Sequence, residues 1–356
     1  MRFVRMYGCR DTMTVARSVY GPYGVLMLGE GSRLSPRIIR ALENLGYPGL
    51  YVEDEFSRDI EPEEIVSDIM RSKAMTLAKA MFTKAAQNRA DKSQDISEGV
   101  TEILSDMVDH VFATDNAVVN VPLLKSFDEY TYQHSVDVTV LCIGLGKAMN
   151  LSKGDVMTLG KAAFFHDIGK MMIPRAILNK PGKLTRDEAV IMRKHAELGF
   201  DFSKVALVQP PVVNRSVLHH HERWDGTGYP FRLKGDEIPI YAQIIAISDV
   251  FDAMGSSRVY RKAQLATEGY EYILANSGHH FSAELVEVFA RTIAPFPVGI
   301  TVALSNGLHA VVIRNNPQLM MRPLVRAFDP DSPGNYEYIN MSSDPGALDI
   351  TIKGNV

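Results

Sequence analysis

The 356-residue sequence is poor in cysteine, with only Cys9 and Cys142, and it holds a single tryptophan. Two cysteines so far apart form neither a disulfide framework nor a thiolate metal site, and they suit a reducing cytoplasm. There is no run of about 18 apolar residues, so a membrane-spanning helix is not expected. The opening stretch, MRFVRMYGCRDTMTVARSVYG, lacks the apolar centre of a signal peptide. Neither sign of charge dominates. A net charge of −4 gives no broad basic surface for duplex nucleic acid. A small anionic substrate stays open, because bound metal ions can supply the largest local charges in a site. Repeats and low-complexity segments are also missing. What is present, 46% hydrophobic and 22% charged residues, is the balance of an ordinary globular chain long enough for two or three domains. A soluble, cytoplasmic protein is the expectation.

Four stretches can be read along the chain. Residues 1–60 mix short β-prone runs, Val25 to Leu28 and Leu50 to Val52, with one helix around Pro36 to Leu45, which predicts a small α+β module. Residues 61–120 turn helical. Val100, Ile103, Leu104, Met107, Val108 and Val111 recur at three- and four-residue spacing, the mark of one buried helix face. Residues 121–293 stay mostly helical, with loops at Lys180-Pro181-Gly182 and Asp225-Gly226-Thr227-Gly228. In residues 294–356, Pro295, Pro297 and Gly299 precede alternating segments such as Thr301 to Leu304 and Ala310 to Ile313, and a β-rich appendage is predicted. The fold class expected is mainly α, an all-helical core between two smaller modules.

Five of the ten histidines fall at telling places in the third stretch. His134 heads a series with Val138, Leu141 and Leu145, and His166 continues Val156, Leu159 and Ala163. His195 lies in the series Ile191, His195, Leu198, Phe202, in a helix opened by a capping box at Thr185 to Glu188. His220 and His221 follow Val213 and Val217 after a Pro210-Pro211 helix start. Taken singly, each reads best as a satisfied core histidine. Five imidazoles buried in one helical domain are costly without partners, and a shared metal centre removes that cost.

Asp167 directly follows His166, where both side chains could serve ions set against one turn. Asp249 lies on a helix whose apolar face is Ile244, Ile247, Phe251 and Met254, so periodicity turns it, with Asp252, to the opposite face. From periodicity alone that is a solvated carboxylate face. Imidazole plus carboxylate without thiolate suits a first-row metal. A two-metal centre lowers the pKa of a bound water and neutralises phosphate charge during phosphodiester hydrolysis.

These residues carry a resemblance. His166-Asp167-Ile168-Gly169-Lys170 resembles the HD motif of the HD phosphohydrolase superfamily, and HHERWDGTGYP at His220 to Pro230 is similar to the motif that defines its HD-GYP subfamily. The likeness runs from about Tyr130 to Phe289 and includes HS at His134-Ser135, KPGKLT at Lys180 to Thr185 and SDVFDA at Ser248 to Ala253. It implies an all-helical HD-type catalytic core at 121–293. The implied activity is hydrolysis of cyclic di-GMP to pGpG or onward to GMP by a metal-bridged hydroxide. Matched motif by motif, the implied metal ligands are His134, His166, Asp167, His195, His220, His221 and Asp249. Asp167 and Lys170 take catalytic roles, and Lys170, Arg258, Arg261, Asp225 and Tyr229 meet the substrate or shape the mouth of its site. Lys170 reads otherwise as a helix-end cation, the arginines as surface ion pairs and the Asp225 to Pro230 loop as a Gly-Pro turn.

Some members with three metals carry a glutamate four residues before the first histidine. Here that position is Tyr130, with Glu129 out of phase, so two divalent ions are expected. Iron comes first, with manganese as the alternative and zinc, nickel or cobalt also compatible. Ser282 stands where the family often has aspartate, and His279 and His280 read as loop residues. His110, His219 and His309 fit no motif. The partners expected are the cyclic di-GMP substrate, a homodimer through the N-terminal module or its helical tail, and a GGDEF-type protein at the GYP loop. Two other functions remain open: a cyclic di-GMP-binding signalling module without turnover, and a hydrolase of another cyclic nucleotide. The N-terminal stretch resembles a module found ahead of such cores and carries no receiver phosphorylation site, haem motif or Gly-rich nucleotide loop.

Overall fold

The computed structural model describes residues 1–21, 25–47, 49–54, 57–62, 65–87, 94–114, 118–120, 130–255, 266–329 and 332–356. The N-terminal module is built on β1 (Arg2–Arg5), β2 (Thr14–Val15), β3 (Val19–Tyr20), β4 (Leu26–Leu28), α1 (Pro36–Asn44) and β5 (Gly49–Glu53). β5 lies between β1 and β2 with both pairings antiparallel. α1 starts where Ser35 accepts a hydrogen bond from the Ile38 amide and Pro36 supplies a preset φ. Leu42 on α1 is buried with Val4, Leu50 and Val52 in the module's core.

Next come α2 (Asp68–Ala86) and α3 (Gln94–Ala113), whose predicted stripe from Val100 to Val111 is buried throughout. Both helices share one core cluster with the helices that follow, and Arg71 on α2 donates to the buried Asp137 at 2.8 Å. After β6 (Val119–Asn120) the helical core runs through α4 (Tyr130–Ala148), α5 (Lys153–Phe165), a 3-10 turn at Ile168–Met172 and α6 (Arg175–Leu178). It continues through α7 (Arg186–Arg193), α8 (His195–Val205), α9 (Pro211–His219), α10 (Ile240–Gly255), α11 (Ala266–Ala275) and α12 (Ala283–Thr292). β7 (Ile293–Ala294) pairs in parallel with β6. The chain ends in an antiparallel sheet ordered β11–β10–β9–β8–β12, made of β8 (Thr301–Leu304), β9 (His309–Arg314), β10 (Leu324–Asp329), β11 (Ser332–Asn340) and β12 (Ile352–Asn355). The architecture is mainly α, with the α+β module before the helices and the small sheet after them. Among the described residues no helix is long and apolar enough to cross a membrane.

Two local expectations fail. The capping box at Thr185 forms, yet the helix it opens does not continue through His195. α7 ends at Arg193, and α8 begins anew at His195, whose ring Nδ1 lies 2.7 Å from the Met192 carbonyl. α10 presents no solvated carboxylate face: Asp249 and Asp252 are 7% and 1% exposed. The face that carries the two carboxylates is buried as well, so the apolar stripe could not say which polar residues meet solvent.

Candidate metal centre

The histidines reach the centre chiefly from helix ends. A helix terminus leaves backbone carbonyls without intrahelical partners, and three histidines use them. His166 follows the last residue of α5, His195 opens α8, and His220 follows the last residue of α9. Each ring lays Nδ1 on the carbonyl three residues back: His166 on Ala163 at 2.7 Å, His195 on Met192 at 2.7 Å and His220 on Val217 at 2.6 Å. A carbonyl only accepts, so Nδ1 carries the proton and Nε2 presents its lone pair to the centre. His166 and Asp167 therefore sit in the turn after α5 and not along a helix.

The fourth ring, His134, comes from within α4. Its Nδ1 is 2.8 Å from Asp252 Oδ2, and its Nε2 is 3.0 Å from Asp249 Oδ1 and 3.4 Å from Asp167 Oδ2. His221 Nε2 lies 3.1 Å from His195 Nε2, its Nδ1 is 3.8 Å from Asp249 Oδ2, and its ring stacks on Tyr229 with centroids 4.8 Å apart. The seven expected ligands thus converge. Two sets have ligand atoms all within 4.8 Å of one another, Asp167 with His195, His220 and His221, and His134 with His166 and Asp167. Asp167 belongs to both.

The electrostatics match that donor set. Burial pushes His195 down to about 4 and His220 to about 3, and it holds His221 well below the usual imidazole range, so these rings are neutral. Burial alone would raise Asp167, but the Lys170 ammonium and His166 outweigh it and hold the carboxyl well below its usual range. Asp249 behaves alike, with His134 as the opposing partner. His166 Nε2 and Asp167 Oδ1 are buried with no hydrogen-bond partner. Buried polar atoms are normally satisfied. Neutral imidazole nitrogens and carboxylate oxygens aimed at one point fit a divalent first-row cation.

Glycines let the backbone close around this point. A Cβ on Gly169 would lie 1.9 Å from the His195 carbonyl oxygen and 2.5 Å from the Gly199 amide nitrogen, so only glycine lets the HD turn meet α8. A Cβ on Gly228 would come within 2.4 Å of the Arg223 amide nitrogen, and the loop folds back on the chain there for the same reason. The buried Glu222 fastens that loop by accepting from the Phe231 and Leu233 amides at 2.7 and 3.1 Å.

Lys170 pairs with Asp167 at the edge of the centre. Tyr229 lies over His221, with Arg193 on its ring at 5.3 Å. Asp225 turns its carboxylate inward on its own loop, accepting from the Thr227 amide and hydroxyl. Arg258, Arg261 and Glu129 lie outside the described residues, as does the side chain of Tyr130. His279 and His280 occupy a turn whose carbonyls accept from Asp225 and Trp224, and neither belongs to the two ligand sets. Ser282 caps α12 by accepting from the Leu285 amide at 3.2 Å. Sequence reasoning passed over Asp252 as a contributor to the centre. Its signal was the three-residue spacing from Asp249, which puts both carboxylates on one side of α10.

Residues 101–285 match the family described as an HD domain. Over 269 residues the chain is 36% identical to a cyclic di-GMP phosphodiesterase of Pseudomonas aeruginosa, covering 76% of this chain and 64% of that protein. It is 39% identical over 176 residues to a cyclic di-GMP phosphodiesterase of Thermotoga maritima, covering 48% of this chain and 47% of the other. It is 42% identical over 161 residues to a 3'3'-cGAMP-specific phosphodiesterase of Vibrio cholerae, covering 44% of this chain and 30% of that protein. The chain thus spans less than two thirds of each of these relatives. With more than half of its length matched, the chain belongs to the HD-domain family.

Proposed function

We propose that this chain is a metal-dependent phosphodiesterase of the HD-GYP type that hydrolyses cyclic di-GMP to pGpG or onward to GMP. The observation that carries the reading is Asp167, shared by two sets of histidine ligands and buried with one oxygen unpartnered. His134, His166, Asp167, His195, His220, His221 and Asp249 would hold two divalent ions, iron or manganese. Bound there, such ions would supply a hydroxide nucleophile near neutral pH and offset the charge on the phosphate.

The chain's own residues do the rest. Helix-end carbonyls and Asp252 hold the rings so that they do not reorient during reaction. Lys170, kept beside Asp167, offers an ammonium to the scissile phosphate, and Arg258 and Arg261 take the remaining phosphate and the guanine edges. Tyr229 and Asp225 form the rim, where Tyr229 covers His221 and narrows access for water. The expected GGDEF-type partner would meet this loop, where Phe231 is 59% exposed.

Cyclic di-GMP and purified, metal-loaded protein test the reading, with metal content by elemental analysis and products separated by chromatography. The expected result is two ions per chain and formation of pGpG or GMP. Binding without product would replace the enzyme with a signalling module. The Vibrio cholerae relative favours one second reading, a 3'3'-cGAMP substrate, and a higher kcat/KM for cGAMP in the same assay would establish it.

A further inference from the structure

The rings of the centre are backed unequally. His166, His195 and His220 each give the Nδ1 proton to a neutral carbonyl. His134 gives it to a carboxylate, Asp252 Oδ2 at 2.8 Å, with both side chains at most 1% exposed. Hydrogen bonds with an ionised partner are roughly twice as strong as neutral ones. A carboxylate behind an imidazole also makes its other nitrogen a more basic ligand and fixes its direction. Asp249 and Asp252 sit one helical turn apart on α10 beside the same ring, one 3.0 Å from Nε2 and the other 2.8 Å from Nδ1.

The remaining half of the centre is built differently. His195 and His220 have no carboxylate on Nδ1 among the described residues, and His221, 23% exposed at its side chain, comes no nearer to Asp249 than 3.8 Å. Asp167 is common to both halves, so it does not separate them. The His134 half therefore combines deeper burial with more negative charge, which favours a divalent cation over the outer, largely neutral imidazole half.

We propose that the two halves hold their ions unequally, with the His134–His166–Asp167 half filling first and more tightly because Asp252 backs His134. This rests on the two-ion reading above. Asp252 is then a positioning residue: it acts through His134 and contacts no substrate.

The test titrates metal-stripped full-length protein with Mn²⁺ alone, in competition with a chelator. Wild type is expected to bind two ions in two steps separated by at least about tenfold in Kd. Asp252→Asn keeps the shape and removes the charge. It should weaken the tighter step by about 10- to 100-fold and leave the weaker step in place. Asp252→Glu, which restores the carboxylate, should recover part of the loss. Electron paramagnetic resonance of wild type needs no variant. At one equivalent it should show a lone Mn²⁺, and at two equivalents a spin-coupled pair. Two equal steps, a coupled pair already dominant at one equivalent, or equal weakening of both steps in Asp252→Asn would overturn the inequality while leaving the two-ion reading intact. Fewer than two ions bound would overturn both.

Discussion

At the helical centre, buried polar atoms converge: His166 Nε2 and Asp167 Oδ1 have no hydrogen-bond partner within the protein. In the C-terminal sheet, Arg326 is equally buried at 2% exposure, yet both terminal nitrogens of its guanidinium are met by other side chains. Asp59 takes both terminal nitrogens, the Tyr338 hydroxyl accepts from one of them at 2.7 Å, and the rings of Tyr336 and Tyr338 lie 4.9 and 5.1 Å from its centre. Both sites place charge where solvent does not reach. One pairs both terminal guanidinium nitrogens within the protein and joins the sheet to the segment after β5. The other leaves its polar atoms open and aligned, the arrangement a ligand needs. Burial of charge alone therefore says little about function, and the state of its partners says much.

The sharpest way to break this contrast is to remove the shared ligand. Asp167→Ala should cut cyclic di-GMP hydrolysis by roughly 10³-fold or more and lower metal content, read by product formation and elemental analysis. An active, fully metallated variant would end the comparison. Gly169→Ala attacks the same centre through packing. Its methyl group meets the His195 carbonyl and the Gly199 amide, so about 3 kcal/mol of stability should be lost together with metal binding. Thermal melts and metal counts would show it.

Arg326→Met tests the other site. It should lower stability by about 1–2 kcal/mol and leave metal content unchanged, because the guanidinium closes structure and holds no ligand. The Arg326 hydrogen bond pulls the Asp59 carboxyl down to about 2. A depressed folded-state value stabilises above the unfolded pKa of about 3.9 and is lost as pH falls toward 2. The gap in melting temperature between wild type and Asp59→Asn should therefore be full above pH 5 and close near pH 2. It should be small, since the Asp59 side chain is 63% exposed. Ser282→Ala should likewise cost only about 1 kcal/mol by removing the cap of α12, with activity retained.

Much of the helical core was legible because its signals are local. The stripe on α3 and the capping box of α7 depend on residues within one or two turns, and both form. The convergence of five histidines was readable as a surplus of imidazole on apolar stripes, although their means of support was not. That His166, His195 and His220 lean on helix-end carbonyls depends on where each helix stops, and periodicity runs past such ends: it carried the α7 pattern straight through Lys194. Asp249 and Asp252 defeated the amphipathic argument because the face of α10 that carries them is buried as well. Arg326 gave no signal at all, since its partner Asp59 is 267 residues away.

By itself the sequence determined the element types, the family resemblance and the candidate donors, because helical spacing and motif order act over short stretches of chain. Only the tertiary structure decided that Asp167 lies in both ligand sets, that a carboxylate backs His134 while carbonyls back three of the other rings, and which buried charges are closed and which are open. Those outcomes depend on which distant side chains share one low-dielectric space, and that is settled by packing between elements.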